Sequence, residues 1–284
     1  VWVLQRALEA LEVLPPHYRQ ELASELAIGD DELDRWRDIT QKMKVVFHAD
    51  GVLTQFEGYE DLLDFDWESY RERYGNLGRL DSLLPAEGDS TDRYKLAKQA
   101  DVLMLVYLLS RDELRGLLGQ LGYEVSEEQL ARTVDYYLER TSHGSTLSGV
   151  VSAWVLARYQ PEQAWQFLLH ALESDIADVQ GGTTAEGIHL GAMAGTVDIV
   201  LRCLTGMRAR GLVLRFEPAL PPQVKQLHFS VHYRGHRIDV ELAEDHMRLG
   251  SRPGPAQPIQ VLIHDQTVEL APGQEREVSL ESTP

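Results

Sequence analysis

Cysteine is nearly absent from this chain. Cys203 stands alone in 284 residues, so neither an internal disulfide nor a thiolate metal site can form, and a reducing, cytoplasmic compartment is the expectation. No run of about 18 apolar residues occurs, so no helical segment is suited to spanning a bilayer. No signal peptide is visible, and the chain opens as VWVLQRALEALEVL, without Met and already inside an amphipathic helix. That opening reads as a piece of a longer protein. Positive charge is scarce, with 27 Lys and Arg against 45 Asp and Glu and a net charge of −18. Such a balance repels nucleic acid and anionic membrane surfaces. It leaves room for a small anionic ligand, which answers to local charge and oriented N–H groups. Also missing are HExxH, a Walker loop, GxGxxG and GxSxG. The 10 His are scattered with no metal-ligand spacing, and His228 and His232 fall on one solvated face of a strand.

Against those absences stands an ordinary globular composition, 43% hydrophobic and 25% charged, long enough for one large core or two domains. Apolar residues recur at helical spacing at Trp2, Leu4, Leu8 and Leu11, then Leu22 and Leu26, then Leu33, Trp36 and Ile39. Asp30 and Asp31 read as the N-cap and first-turn charge of the third helix. From Phe47 to Glu87 the period breaks down into a long irregular segment, which in a compact domain usually has a function. Its aromatics, Phe56, Tyr59, Phe65, Trp67, Tyr70 and Tyr74, suit either sugar stacking or tying the loop to the core. Helices then resume from STDRYKLAKQADVLMLVYLLS to about Arg210, with Pro161 at a helix start where Pro is tolerated. The stretches VLMLVYLL, SGVVSAWVLA and IHLGAMAGTVDIVL are apolar nearly all round, which implies burial.

Past RARG the period changes from 3.6 to 2. QLHFSVHYRGHRIDVEL and IQVLIHDQTVELAPGQEREVSL alternate apolar and polar residues and turn at RGH, HDQ and PGQ. The fold expected is mainly α with a C-terminal antiparallel β module, divided as 1–210 and 211–284.

Three polar stretches interrupt the apolar helices. TSHGSTLS, Thr141 to Ser148, packs five hydroxyls, one His and one Gly into eight residues ahead of an apolar helix. One hydroxyl suffices for an N-cap, and the whole set at a positive helix end equally describes an anion seat. QGGTTAEGIHLGAMAG carries Thr183 and Glu186 at capping-box spacing, together with glycines that admit a ligand to the backbone and His189 on a face otherwise buried. In RYKLAKQADVLML, Lys98 and Gln99 interrupt a helix that is turning apolar. Asp101 could pair Lys98, or Lys98 could face a cavity.

Taken in order, QFEGYEDL, RYGNLGRLDSLLPAEGDSTDRYKLAKQADVLMLVYLL, ERTSHGSTLS and GGTTAEGIHLGAMAGT resemble the C-terminal half of glycoside hydrolase family 65, the maltose, trehalose and kojibiose phosphorylases. The resemblance covers essentially the whole chain. It implies part of an (α/α) six-hairpin barrel followed by a small β-sheet domain, although only about eight or nine helices can be counted against the twelve of such a barrel. It also implies an inverting phosphorolysis of an α-linked glucose disaccharide by inorganic phosphate, giving a β-sugar 1-phosphate without any cofactor or metal. The general acid Glu would lie upstream of Val1, so this chain alone would hold no catalytic residue and be inactive. By the same resemblance, Ser142, His143, Gly144 and Ser145 seat the phosphate, where family hydrolases would carry a Glu near position 143. Lys98 and Gln99 bind hydroxyls of the transferred glucose, and Glu186 binds sugar or orients the phosphate loop. A homodimer is the assembly the family suggests. Two alternatives stay open: a trehalase-type hydrolase, with Glu186 the first carboxylate to consider as base, and a non-catalytic carbohydrate-binding domain fused to another enzyme.

Overall fold

In the computed structural model the residues described are 1–99, 101–157, 160–178, 184–209 and 213–280. They fall into two compact units, Val1–Gly144 and Ser145–Pro284. In the first unit, α1 (Trp2–Val13), α2 (Pro16–Glu25) and α3 (Asp30–Lys42) follow the apolar periodicity. The cap of α3 is Gly29 and not an Asp: Asp30, Asp31 and Glu32 occupy the first turn, where they complement the helix dipole without capping. The irregular segment is tied down by α8 (Glu127–Glu139), because the Leu53 N–H donates to Thr133 Oγ1 at 3.1 Å and Arg132 donates to the Asp50 carbonyl. Within that segment lie two helices the periodicity did not announce, α4 (Trp67–Tyr74) and α5 (Leu80–Ala86). They are eight and seven residues long, too short for a period to register among so many aromatics.

Phe65, Leu77, Leu80 and Leu84 form a core cluster against which Trp67, Tyr70, Tyr74 and Tyr94 pack. For these aromatics the core-anchoring alternative is the one realised. Tyr59 is buried as well, and Phe56 alone of the six stays half exposed. The apolar stretch after Lys98 is helical only from Asp101 to Leu108 (α6), followed by α7 (Arg111–Gln120). Both α7 and α8 start with complete Ser capping boxes, at Ser110 and Ser126.

The second unit opens with α9 (Thr146–Leu156), α10 (Pro161–Glu173) and α11 (Leu190–Asp198), the last running on as a π-helical turn over Ile199–Leu204. Among the described residues there are eleven α-helices; the surplus over the count expected from sequence includes short α4 and α5. Pro161 sits at the first turn of α10, where a missing N–H costs nothing. Small residues set the helix packing. A Cβ on Gly195 would meet Val150 Cγ1 at 2.5 Å, and one on Gly149 would meet the Phe167 carbonyl oxygen at 3.3 Å.

Among the described residues seven strands follow: β1 (Val213–Phe216), β2 (Gln226–Tyr233), β3 (His236–Ala243), β4 (His246–Ser251), β5 (Ile259–Ile263), β6 (Gln266–Leu270) and β7 (Glu275–Ser279). They form a three-stranded sheet in the order β1-β5-β6 and a four-stranded sheet in the order β2-β3-β4-β7. Every pairing is antiparallel except β1 with β5. The β2–β3 hairpin turns on Arg234 and Gly235, both with positive φ, as a two-residue loop matched to strand twist requires. Inward residues of both sheets, Phe216, Ile238, Leu242, Met247, Leu249 and Val261 among them, share one apolar core.

Candidate functional site

Position 98 owes its place to backbone pairing. The Ala97 N–H donates to the Arg140 carbonyl and the Ser142 N–H to the Ala97 carbonyl, both at 2.9 Å. This short parallel bridge, Ala97 with Thr141, leads into a bend at Lys98 and Gln99, ahead of α6. They therefore precede the apolar helix and do not interrupt it. The same bridge sets Lys98 beside Ser142, and both line a cavity of about 400 Å³ with Phe56, Tyr59, Asp81 and Tyr94.

Gly144 locks this arrangement. A Cβ there would lie 2.1 Å from the Gly78 carbonyl oxygen and 3.3 Å from Lys98 Cγ, so only glycine lets the 142–144 turn lie against the 76–79 turn. The neighbouring His143 adopts φ 54°, a left-handed conformation uncommon outside glycine. Of the hydroxyls in this stretch, Thr141 Oγ1 donates to the Tyr137 carbonyl at 2.6 Å. Ser145 occupies the N-cap of α9 yet forms no side-chain cap bond, and the first turn of α9 holds no acidic residue.

The charge partner of Lys98 is not Asp101, its neighbour in sequence. Lys98 Nζ lies 3.5 Å from Asp81 Oδ2, with both side chains about half exposed. Arg79 Nε approaches the other Asp81 oxygen at 3.6 Å. An ion pair this exposed contributes little, about 0–1 kcal/mol, so it holds the ammonium near the cavity without fixing it there. Gln99 turns its amide to Met104 Sδ at 3.1 Å. The tyrosines lining the cavity, Tyr59 and Tyr94, and Tyr70 of the Phe65 cluster are held protonated. Tyr94 donates to Asp89 at 2.6 Å, and that bond raises the phenol and lowers the carboxyl. Tyr70 is pushed up to about 12, chiefly by its bond to Glu87. Burial raises Tyr59, whose hydroxyl has no partner among the described residues.

In the second unit, Glu186 closes a 3-10 turn, Thr184–Glu186; its side chain and Thr183, its capping-box partner by spacing, lie outside the described residues. Three residues on, His189 takes the N-cap of α11, and Asp175 accepts from both its backbone N–H at 2.9 Å and its Nδ1 at 2.5 Å. Neither Asp81 nor Asp175 carries a local sequence signal. Each meets its partner across a long stretch of chain, through a fold that periodicity cannot display. Among the described residues no group of three or more His, Cys, Asp or Glu is placed to hold a metal ion, and no helix is long and apolar enough to cross a membrane.

Residues 1–198 match the family described as glycosyl hydrolase family 65 central catalytic domain, and residues 207–270 match that family's C-terminal domain. The chain belongs to glycosyl hydrolase family 65. It is 49% identical over 278 residues to an uncharacterised glycosyl hydrolase of Mycobacterium tuberculosis, covering 98% of this chain and 21% of that protein. To the trehalose 6-phosphate phosphorylase of Lactococcus lactis it is 34% identical over 247 residues, 87% of this chain and 32% of that protein. A solved structure assigned as a kojibiose phosphorylase, from human microbiome, superposes with a TM-score of 0.70 at 19% identity, over 93% of this chain and 36% of that one. At that identity the likeness speaks to the fold. The chain thus spans about a third or less of each relative's length.

Proposed function

We propose that this chain is part of an inverting α-glucoside phosphorylase, which cleaves a disaccharide with inorganic phosphate and releases a β-sugar 1-phosphate. The observation that carries the reading is the junction of Lys98 and Ser142 at one cavity, with Gly144 packed so closely that the turn tolerates no side chain. Residues 1–210 would belong to the catalytic barrel and 211–284 to a β domain that supports it. Lys98, Gln99 and Glu186 would bind hydroxyls of the transferred glucose. Ser142, His143, Gly144 and Ser145 would hold phosphate, which attacks the anomeric carbon as a general acid from outside this chain protonates the leaving oxygen. An inverting hydrolase needs instead a carboxylate base about 6.5–9.5 Å from the acid, with room for water. A His among hydroxyls suits an anion where a carboxylate would repel it. No cofactor is required, phosphate being co-substrate. The named phosphorylases among the relatives support this reading over the hydrolase. A cytoplasmic homodimer is the form proposed.

The test uses the longer parent protein and a panel of α-linked glucose disaccharides, trehalose 6-phosphate included, with and without phosphate. Sugar 1-phosphate formed only when phosphate is present is the expected result, and His143→Glu should abolish it. Free glucose released equally without phosphate would replace the reading with the hydrolase, and absence of turnover on the whole panel would favour the binding domain.

A further inference from the structure

Asp81 is fixed by its backbone and left loose at its carboxylate. It stands in the first turn of α5, directly after Leu80, which is buried and lines the same cavity. The chain just ahead is held from two sides. The Gly78 N–H donates to Asn76 Oδ1 at 2.8 Å, and Gly144 lies against the Gly78 carbonyl with no room for a Cβ. Lys98 and Ser142 are placed by the Ala97–Thr141 bridge. Asp81, Lys98 and Ser142 all belong to the first unit and line its cavity of about 400 Å³.

The charged ends are not tied down in the same way. Lys98 Nζ stops 3.5 Å from Asp81 Oδ2, and Arg79 Nε 3.6 Å from Oδ1, with the Asp81 and Lys98 side chains 45% and 53% exposed. A pair built for structure would be shorter, more buried and further hydrogen-bonded. Asp92 lines the cavity too, but it is Asp81 that stands beside the ammonium. The cavity wall also includes buried Tyr59, whose hydroxyl has no partner among the described residues. A carboxylate only accepts and an ammonium only donates, whereas a sugar hydroxyl does both. Side by side, the two groups can engage neighbouring hydroxyls of one ring, the first donating to Asp81 and the second accepting from Lys98.

We propose that Asp81 is a sugar-binding, specificity-determining residue, whose carboxylate accepts from the glucose hydroxyl adjacent to the one that Lys98 engages. The proposal rests on the reading of Lys98 as a glucose ligand. It adds a residue with no motif of its own and a rule of recognition: two adjacent hydroxyls, one for each side chain. The competing role is structural, since an acidic residue in the first turn of α5 complements the helix dipole.

The test measures binding of D-glucose and of 2-, 3-, 4- and 6-deoxy-D-glucose to the longer parent protein, as wild type, Asp81→Asn and Lys98→Met. Asp81→Asn should weaken the Kd for glucose about 10-fold, as loss of a hydrogen bond to a charged group does. Its Tm should stay unchanged, because the ion pair it breaks is exposed. The weakening should vanish for one deoxy sugar, the one lacking the hydroxyl that Asp81 holds. In Lys98→Met the corresponding loss should vanish for a deoxy sugar altered at an adjacent carbon. A role in packing or in the helix dipole produces no such coupling between variant and sugar position. An equal loss for every sugar, coupling at carbons that are not adjacent, an unchanged glucose Kd, or a wild type that binds no glucose would each overturn the proposal. Failure of the phosphorylase reading shows separately, as intact coupling with no sugar 1-phosphate formed from the disaccharide panel in the presence of phosphate.

Discussion

The turn-lined cavity of the first unit and the four-stranded sheet of the second handle polar groups in opposite ways. On the sheet's outer face the charges are matched across strands: Arg248 bridges Glu241 and Glu277, and Arg252 pairs Asp239, which also accepts from Ser230. Beneath them buried His236 is satisfied at both nitrogens, by Ser251 and the Gln257 carbonyl. At the cavity, the hydroxyl of buried Tyr59 has no partner among the described residues, and Lys98 pairs with a half-exposed carboxylate. The sheet is finished as a structure. The cavity has hydrogen-bonding capacity left over, as expected where a ligand completes it.

The contrast can be broken most forcefully from the sheet side. Met247 is fully buried in the shared core, so Met247→Ala should destabilise the second unit by about 2–5 kcal/mol while leaving turnover by the parent intact in denaturant-free buffer. A matching loss of kcat would show that the module does more than support. Gly144→Ala comes next. With a Cβ 2.1 Å from a carbonyl oxygen, backbone must shift, for about 1–3 kcal/mol of stability, and sugar binding should fall further than stability predicts. Retained binding would detach the turn from the site. Tyr59→Phe is smaller and opposite in sign: deleting an unpaired buried hydroxyl should be neutral or raise stability by up to about 1 kcal/mol. A clear loss in chemical melts would reveal a hidden partner. The smallest effect concerns acid. Arg252 and Ser230 hold Asp239 below its ordinary range. A depressed carboxyl adds stability above its unfolded pKa, near 3.9, and loses it as pH falls through the folded value. Arg252→Ala should therefore narrow the gap between melting at neutral pH and at pH about 3, and an unchanged gap would remove Asp239 from the account.

How much of this could be read in advance depends on the range of the interaction. The alternation in QLHFSVHYRGHRIDVEL gave β2, β3 and their turn, because period 2 and a Gly turn are local properties. Four-residue β1 and its parallel pairing with β5 were not visible, since pairing across more than forty residues leaves no periodic trace. The polar stretches ahead of α6 and α9 were legible as candidates by composition. That Ala97 pairs with Thr141, bringing two of them together, was not. Asp101 seemed the natural mate of Lys98 by spacing, yet Lys98 lies ahead of the helix that Asp101 begins, so helical spacing does not apply and Asp81 takes the role.

The parallel pairing of β1 with β5 also has a meaning in time. Val213–Phe216 leave the ribosome before their sheet partner β5 exists, and Leu214 and Phe216 are among the most completely buried side chains of the finished module. The β2–β3–β4 meander, joined by tight turns, can close within itself while β1 waits. Only when Ile259–Ile263 arrive can the first strand dock, at the entropic expense of closing the whole intervening loop. The module should therefore mature with its earliest strand as the final piece, and a stall in synthesis anywhere before residue 259 would leave that apolar strand without its sheet partner.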